Sequence, residues 1–148
     1  MSYLLNNYNI LSYKSEVGET VSTQLINSSG QESVSGTRIS FTPLIKTDFI
    51  MYECYLQAVY YDSITELSIE LYENDGTGWT NLGDIFCVKE KVGGGVSFSD
   101  STHLRYLIPG YSGTKTYELR ARATSTSTET NLPHNNLIPT VMMYSWIE

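Results

Sequence analysis

Two runs near the C-terminal end of the chain, Thr114 to Ala123 and Ile138 to Ile147, leave the least freedom to the fold. In the first, Tyr117, Leu119, Ala121 and Ala123 alternate with Thr116, Glu118, Arg120 and Arg122, a period of two that sends one apolar row inward and one polar row outward. The second, TVMMYSWIE, is too apolar for an exposed tail and has to be tied into a sheet or an interface. The loop between them is rich in Ser and Thr. A chain organised this way builds its core from strands.

The rest of the sequence agrees. RISFTPL reads as a short strand stopped by Pro43, and TDFIMYECYLQAVYY as a long one. Ile50, Tyr52, Cys54, Leu56, Ala58 and Tyr60 share one face of the long strand, and Met51, Glu53, Tyr55, Gln57, Val59 and Tyr61 the other. Both faces are largely apolar or aromatic, so cover is expected on both, from a second sheet and from a partner subunit. In ELSIELYENDGTGWTNLGDIFCV, Leu67, Ile69 and Leu71 alternate with Glu66, Ser68 and Glu70, and Asn74, Asp75, Gly76 and Gly78 supply a hairpin loop that returns at Trp79. Gly93, Gly94 and Gly95 suggest a bulge or bent loop, and Pro109-Gly110 a turn. Seven or eight strands with no helix longer than a turn or two predict an all-β, single-domain antiparallel β-sandwich or jelly roll over residues 37–148. Residues 1–36, polar and turn-rich, read as an N-terminal arm. Its apolar pairs Leu4-Leu5, Ile10-Leu11 and Leu25-Ile26 are too sparse for a core of their own and suit docking onto a neighbour.

A 148-residue chain fits one domain. Nine basic against sixteen acidic side chains give a formal charge of −7, which disfavours a nucleic-acid backbone as partner. The first residues lack the basic and apolar regions of a signal peptide, and no apolar run approaches the length of a membrane span. Cys54 and Cys87 read as reduced, buried thiols by default, with a disulfide open if the protein works outside a cell.

Chemistry-bearing patterns are sparse. His103 and His134 have no neighbour at a metal-ligand spacing, and GxSxG is absent. The segment Glu73-Asn74-Asp75-Gly76 lacks the spaced carboxylates of a calcium loop and is explained as a hairpin turn. No catalytic residue, metal site or cofactor is expected, and the chain reads as a structural or binding module instead of an enzyme. Hydrolysis of a surface polysaccharide would need a carboxylate pair that sequence cannot bring together. Partner-binding candidates are Leu4, Leu5, Ile10, Leu11, Tyr55, Tyr61, Arg120 and Arg122, and ligand-contact candidates on loops are Trp79, Tyr111, Thr128 and Asn131.

The succession of RISFTPL, the long aromatic strand, the ENDG hairpin with Trp79, TYELRARATSTSTETN and PTVMMYSWIE resembles the compact jelly-roll heads of the tumour necrosis factor and complement-globular-head type. In particular it looks like the versions found in tailed-phage structural proteins. The resemblance covers residues 37–148. It implies a homotrimer packed through one aromatic sheet face and a place on a virion assembled in the host cytoplasm. A decoration (cement) protein bound to the major capsid protein, or to other shell subunits, is the leading expectation. A receptor- or carbohydrate-binding fibre head, with a surface glycan as partner, is the alternative.

Overall fold

The computed structural model describes residues 9–17, 25–26, 31–44, 49–60, 67–88, 98–123, 130–131 and 139–147. Its strands are β1 (Asn9–Val17), β2 (Leu25–Ile26), β3 (Glu32–Ser33), β4 (Ile39–Phe41), β5 (Phe49–Tyr60), β6 (Leu67–Asn74), β7 (Trp79–Val88), β8 (Phe98–Pro109), β9 (Lys115–Ala123), β10 (Thr130–Asn131) and β11 (Thr140–Ile147). Pairing is antiparallel throughout and nested: β1 with β11, β4 with β9, β5 with β8, and β6 with β7. One long ribbon therefore folds back on itself. Cross-pairs β11–β5 and β6–β9 wrap that ribbon into two sheets, β1-β11-β5-β8 and β4-β9-β6-β7. This order is that of a jelly roll, one of the two architectures the strand pattern allows and the one the family resemblance implies. The short strands β10 and β2 extend the first sheet beyond β11 along β5, and β3 lies beside β4 on β9.

Alternate residues of each long strand meet between the sheets. Ile50, Tyr52, Cys54 and Leu56 of β5, Leu104 and Ile108 of β8, and Val141 and Met143 of β11 face Ile39 and Phe41 of β4, Leu67, Ile69 and Leu71 of β6, and Tyr117, Leu119 and Ala121 of β9. Three tyrosines sit in this core, and each hydroxyl has a partner, as burial requires. Tyr52 donates to the Thr37 carbonyl at 2.8 Å, Tyr111 to the Phe41 carbonyl at 3.0 Å and Tyr117 to Glu73 Oε2 at 2.7 Å. Thr37, itself fully buried, donates through Oγ1 to the Val34 carbonyl at 2.7 Å and accepts from the Leu119 amide at 3.1 Å. The turn before β4 is thus fastened to β9 and, through Tyr52, to the opposite sheet.

The open sides of the sandwich are bridged as well. Tyr106 of β8 donates to the Leu82 carbonyl of β7 at 2.5 Å, and Lys14 of β1 donates to the Ser40 carbonyl of β4 at 2.9 Å. In the β6–β7 hairpin, Asn74 Oδ1 accepts from the Gly76 amide at 2.8 Å and Asp75 Oδ1 from the Thr77 amide at 2.9 Å. Gly76 has φ 101°, which favours glycine. The predicted turn chemistry is therefore what closes this hairpin.

The segment read as an arm contributes strands to both sheets. Residues 9–17, read from sequence as part of an arm, form a full strand paired with β11 from Asn9↔Ile147 to Val17↔Thr140. Val34 is a core residue, and β2 and β3 pair with β10 and β9, so these described parts of residues 1–36 join the sheets. The polar composition of NILSYKSEV hid this, because β1 lies at the edge of the sheet, where backbone pairing with β11 asks for no apolar signature. Leu4 and Leu5, along with the glycine run at 93–95, lie outside the described residues.

Candidate functional site

The outward face of the first sheet is built from the alternate residues that β5, β8 and β11 do not send into the core. Register sets them in rows: Trp146, Phe49 and Pro109; Tyr144, Met51 and Leu107; Met142, Glu53 and Arg105; Thr140, Tyr55 and His103. Aromatic contacts run along one end, with Phe49 and Trp146 ring centroids 5.9 Å apart and Tyr144 and Trp146 5.7 Å apart. At the other end Tyr55 and His103 stack at 4.0 Å with an interplanar angle of 8°. Tyr55 (44% exposed) and Leu107 (50%) are two of the three large apolar side chains that the described residues leave open to solvent, Leu44 being the third.

Within this apolar surface Glu53 is only 4% exposed. Its carboxylate is held from three sides, which a desolvated charge needs. Tyr144 donates to Oε1 at 2.5 Å, Arg105 Nε approaches Oε1 at 3.3 Å, and His103 Nε2 lies 2.9 Å from Oε2. The same His103 nitrogen is 3.3 Å from Arg105 Nε. One ring nitrogen cannot donate to the carboxylate and accept from the guanidinium together, so the arrangement that satisfies Glu53 has the proton on Nε2. Burial, and then the bonded Glu53 carboxylate, hold the Tyr144 phenol well above its ordinary pKa. It therefore stays a donor.

A second charged cluster lies on the outward face of the other sheet. Glu118 of β9, 1% exposed, accepts from Arg38 Nε at 2.8 Å and also from Arg38 Nη2 on Oε2, and from Arg120 Nε at 2.9 Å on Oε1. The Arg38 and Arg120 guanidinium carbons lie 5.3 and 5.0 Å from the centroid of Trp79, and Arg120 also lies 4.3 Å from that of Tyr72. Trp79 comes from β7, two strands away from β9, and reaches across the sheet to these cations. Arg122, the next outward residue of β9, is exposed.

The sequence candidates fall out as follows. Tyr55 lies on the first face, and Arg120 and Arg122 on the second. Trp79 packs over the sheet against two guanidiniums instead of standing at a loop tip. Tyr111 belongs to the core, with its hydroxyl bonded and Lys115 Nζ 4.8 Å above its ring, so it offers no open surface to a ligand. Pro109, expected in a turn, is the last residue of β8, and Tyr111 lies in the β8–β9 connection as expected, but with its side chain packed into the core. Ile10 pairs with Trp146 along β1, Leu11 falls at a register shift, and Asn131 pairs with Leu25 and Val59 through β10. Tyr61 and Thr128 lie outside the described residues. Sequence reasoning passed over Glu53, Tyr144, Arg38 and Glu118 as site residues. The available signal was a lone carboxylate in an aromatic strand, which implies cationic partners on its neighbours. Among the described residues no group of His, Cys, Asp and Glu could hold a metal ion. Cys54 is a buried free thiol.

No protein-family profile and no curated protein matches this chain. Solved structures are similar to it at low identity. Murine APRIL at pH 5.0 is 10% identical with a TM-score of 0.45, over 90% of this chain and 99% of that one. The Eiger TNF of S. frugiperda is 10% identical with a TM-score of 0.38, over 78% and 88%. The infectious bursal disease virus Gx strain gives 10% identity and a TM-score of 0.44, over 93% of this chain and 37% of that one. The jelly-roll assignment itself rests on the pairing order of the strands.

Proposed function

We propose that this chain is a structural jelly-roll protein of a virion, a decoration protein that works as a homotrimer packed through the outward face of its first sheet and stabilises an assembled shell. The observation that carries self-association is that face: Tyr55 and Leu107 stand open beside Met51, Met142, Tyr144 and Trp146, around a Glu53 that is already desolvated and bonded. An exposed aromatic and aliphatic patch of this kind marks an interaction surface. A second and third copy of the chain are suited to cover it, because the charge at its centre is neutralised within each protomer and needs nothing from outside. The number three and the virion setting are supported by the resemblance of the sequence to trimeric phage heads. Stabilisation then follows from mass action, since a protein that binds the assembled shell and not its dissociated subunits shifts the equilibrium toward assembly.

Charge placed in the patch tests the packing. Tyr55→Asp combined with Leu107→Asp is expected to reduce the solution mass from three protomers to one while leaving the far-ultraviolet circular dichroism unchanged. Both residues are exposed, so the fold itself loses little. An unaltered trimer mass in the folded variant would show that this face is not the interface. The shell role is tested separately, by adding the full chain to shells that lack it: the temperature of shell disruption should rise, and no rise would remove the decoration reading.

A further inference from the structure

Three of the four arginines of this acidic chain, Arg38, Arg120 and Arg122, converge on the outward face of the second sheet. Two of them are set in place before any partner arrives. Glu118 fixes Arg38 and Arg120 from below, while Trp79 and Tyr72 hold the guanidinium planes. Arg38 spends Nε and Nη2 on Glu118, and Arg120 spends Nε, which leaves Nη1 of Arg38 and both Nη atoms of Arg120 for outside acceptors among the described residues. Arg122 is exposed on the same side of β9, with its charge acting on the Tyr72 phenol beside Arg120. Glu70, opposite Arg120 on β6, accepts on Oε2 from Asn81 Nδ2 at 3.0 Å, and the single Tyr72 hydroxyl proton lies between Glu70 Oε2 at 3.3 Å and Gln31 Oε1 at 3.2 Å. Asp84 stands further out, on the edge strand β7.

We propose that this face is a docking surface for an extended acidic segment of a partner protein, with carboxylates at alternate positions. Arg120 and Arg122 are two residues apart on one strand, so they project about 7 Å apart on the same side, which is also the same-side spacing of an extended peptide. Guanidinium forks pair with carboxylates through two parallel hydrogen bonds, and forks already held by Glu118 and Trp79 lose little freedom on binding. The −7 charge of the whole chain opposes a polyphosphate, whose charge density acts over a long stretch of surface, more than it opposes a short peptide within a Debye length of three guanidiniums. A sugar would use a free aromatic face, whereas the Trp79 ring is engaged by two cations.

The test is titration of the full chain, by calorimetry, with a synthetic Thr-Glu repeat of about eight residues, with its Thr-Gln analogue, and with an oligogalacturonate of equal charge. The expected result is saturable binding of the Glu peptide, weakened about tenfold or more by Arg122→Ala and by raising the salt, with no binding of the Gln analogue. Arg122→Ala is chosen because it leaves the Glu118 cluster intact, and an unchanged melting temperature verifies that. Equal binding of the Gln analogue, no saturation with the Glu peptide in the millimolar range, or binding indifferent to Arg122→Ala would overturn the proposal. Binding of oligogalacturonate alone would also overturn it and assign the face to an anionic sugar.

Discussion

Substituting Arg38 and Arg120 together by alanine is expected to destabilise the protein by about 3–5 kcal/mol, although both side chains lie on the outside of a sheet. The cost is centred on Glu118. This carboxylate is 1% exposed, and the two guanidiniums are the only cations bonded to it among the described residues. Without them it is a desolvated charge with no cation, beneath a Trp79 that has lost both of its cationic neighbours. Arg38→Ala alone should cost less, because that side chain is 62% exposed and solvent screens the pair. The sign of the effect is diagnostic. Adding Glu118→Leu to the double variant should restore most of the lost stability, since a buried apolar residue needs no partner. Thermal unfolding followed by circular dichroism measures this, with a fall of roughly 10 °C for the double variant and recovery in the triple. A double variant as stable as the parent would mean that Glu118 is not desolvated.

Alkaline pH should unfold the protein. Burial pushes the Cys54 thiol from 9.0 up to about 12 and the Tyr111 phenol from 10.0 up to about 12, and it raises Tyr52 and Tyr117 as well. Each of these groups keeps its proton more tightly folded than unfolded. Their contribution is therefore fully present below the unfolded values, near pH 9 to 10, and is lost as pH rises toward the folded ones. At about 1.4 kcal/mol per group per pH unit, Cys54 and Tyr111 alone come to on the order of 5 kcal/mol between pH 10 and 12, a large part of a typical domain's stability, and Tyr52 and Tyr117 act in the same direction. Tyrosinate absorbance and circular dichroism followed together should show exposed tyrosines ionising first, and then one steep step in both signals between pH 10 and 12. Complete tyrosine ionisation near pH 10 with the dichroism unchanged would contradict the burial of these rings.

Much of the architecture was legible because a strand advertises its faces locally. Tyr117, Leu119 and Ala121 point inward as their spacing predicts, Ile50, Tyr52, Cys54 and Leu56 do the same in β5, and the ENDG turn closes the expected hairpin. Periodicity says which face a residue occupies and nothing about what crosses that face. Glu118 therefore read only as one of an outward polar row, whereas Arg38, distant in sequence, and Trp79, from two strands away, enclose it. The same limit applies to Glu53, whose partners come from β8 and β11 and depend on register. β1 was lost for a different reason. As an edge strand, it is held by backbone pairing with β11 along its length, and backbone pairing leaves little trace in composition.

The self-association that underlies the proposed function is most directly tested by the solution mass of the unmodified chain, measured by light scattering at low and at high salt. A mass of three protomers at both is expected, because the face around Tyr55 and Leu107 is chiefly apolar and salt does not screen its burial. A monomer at both salt concentrations would contradict it.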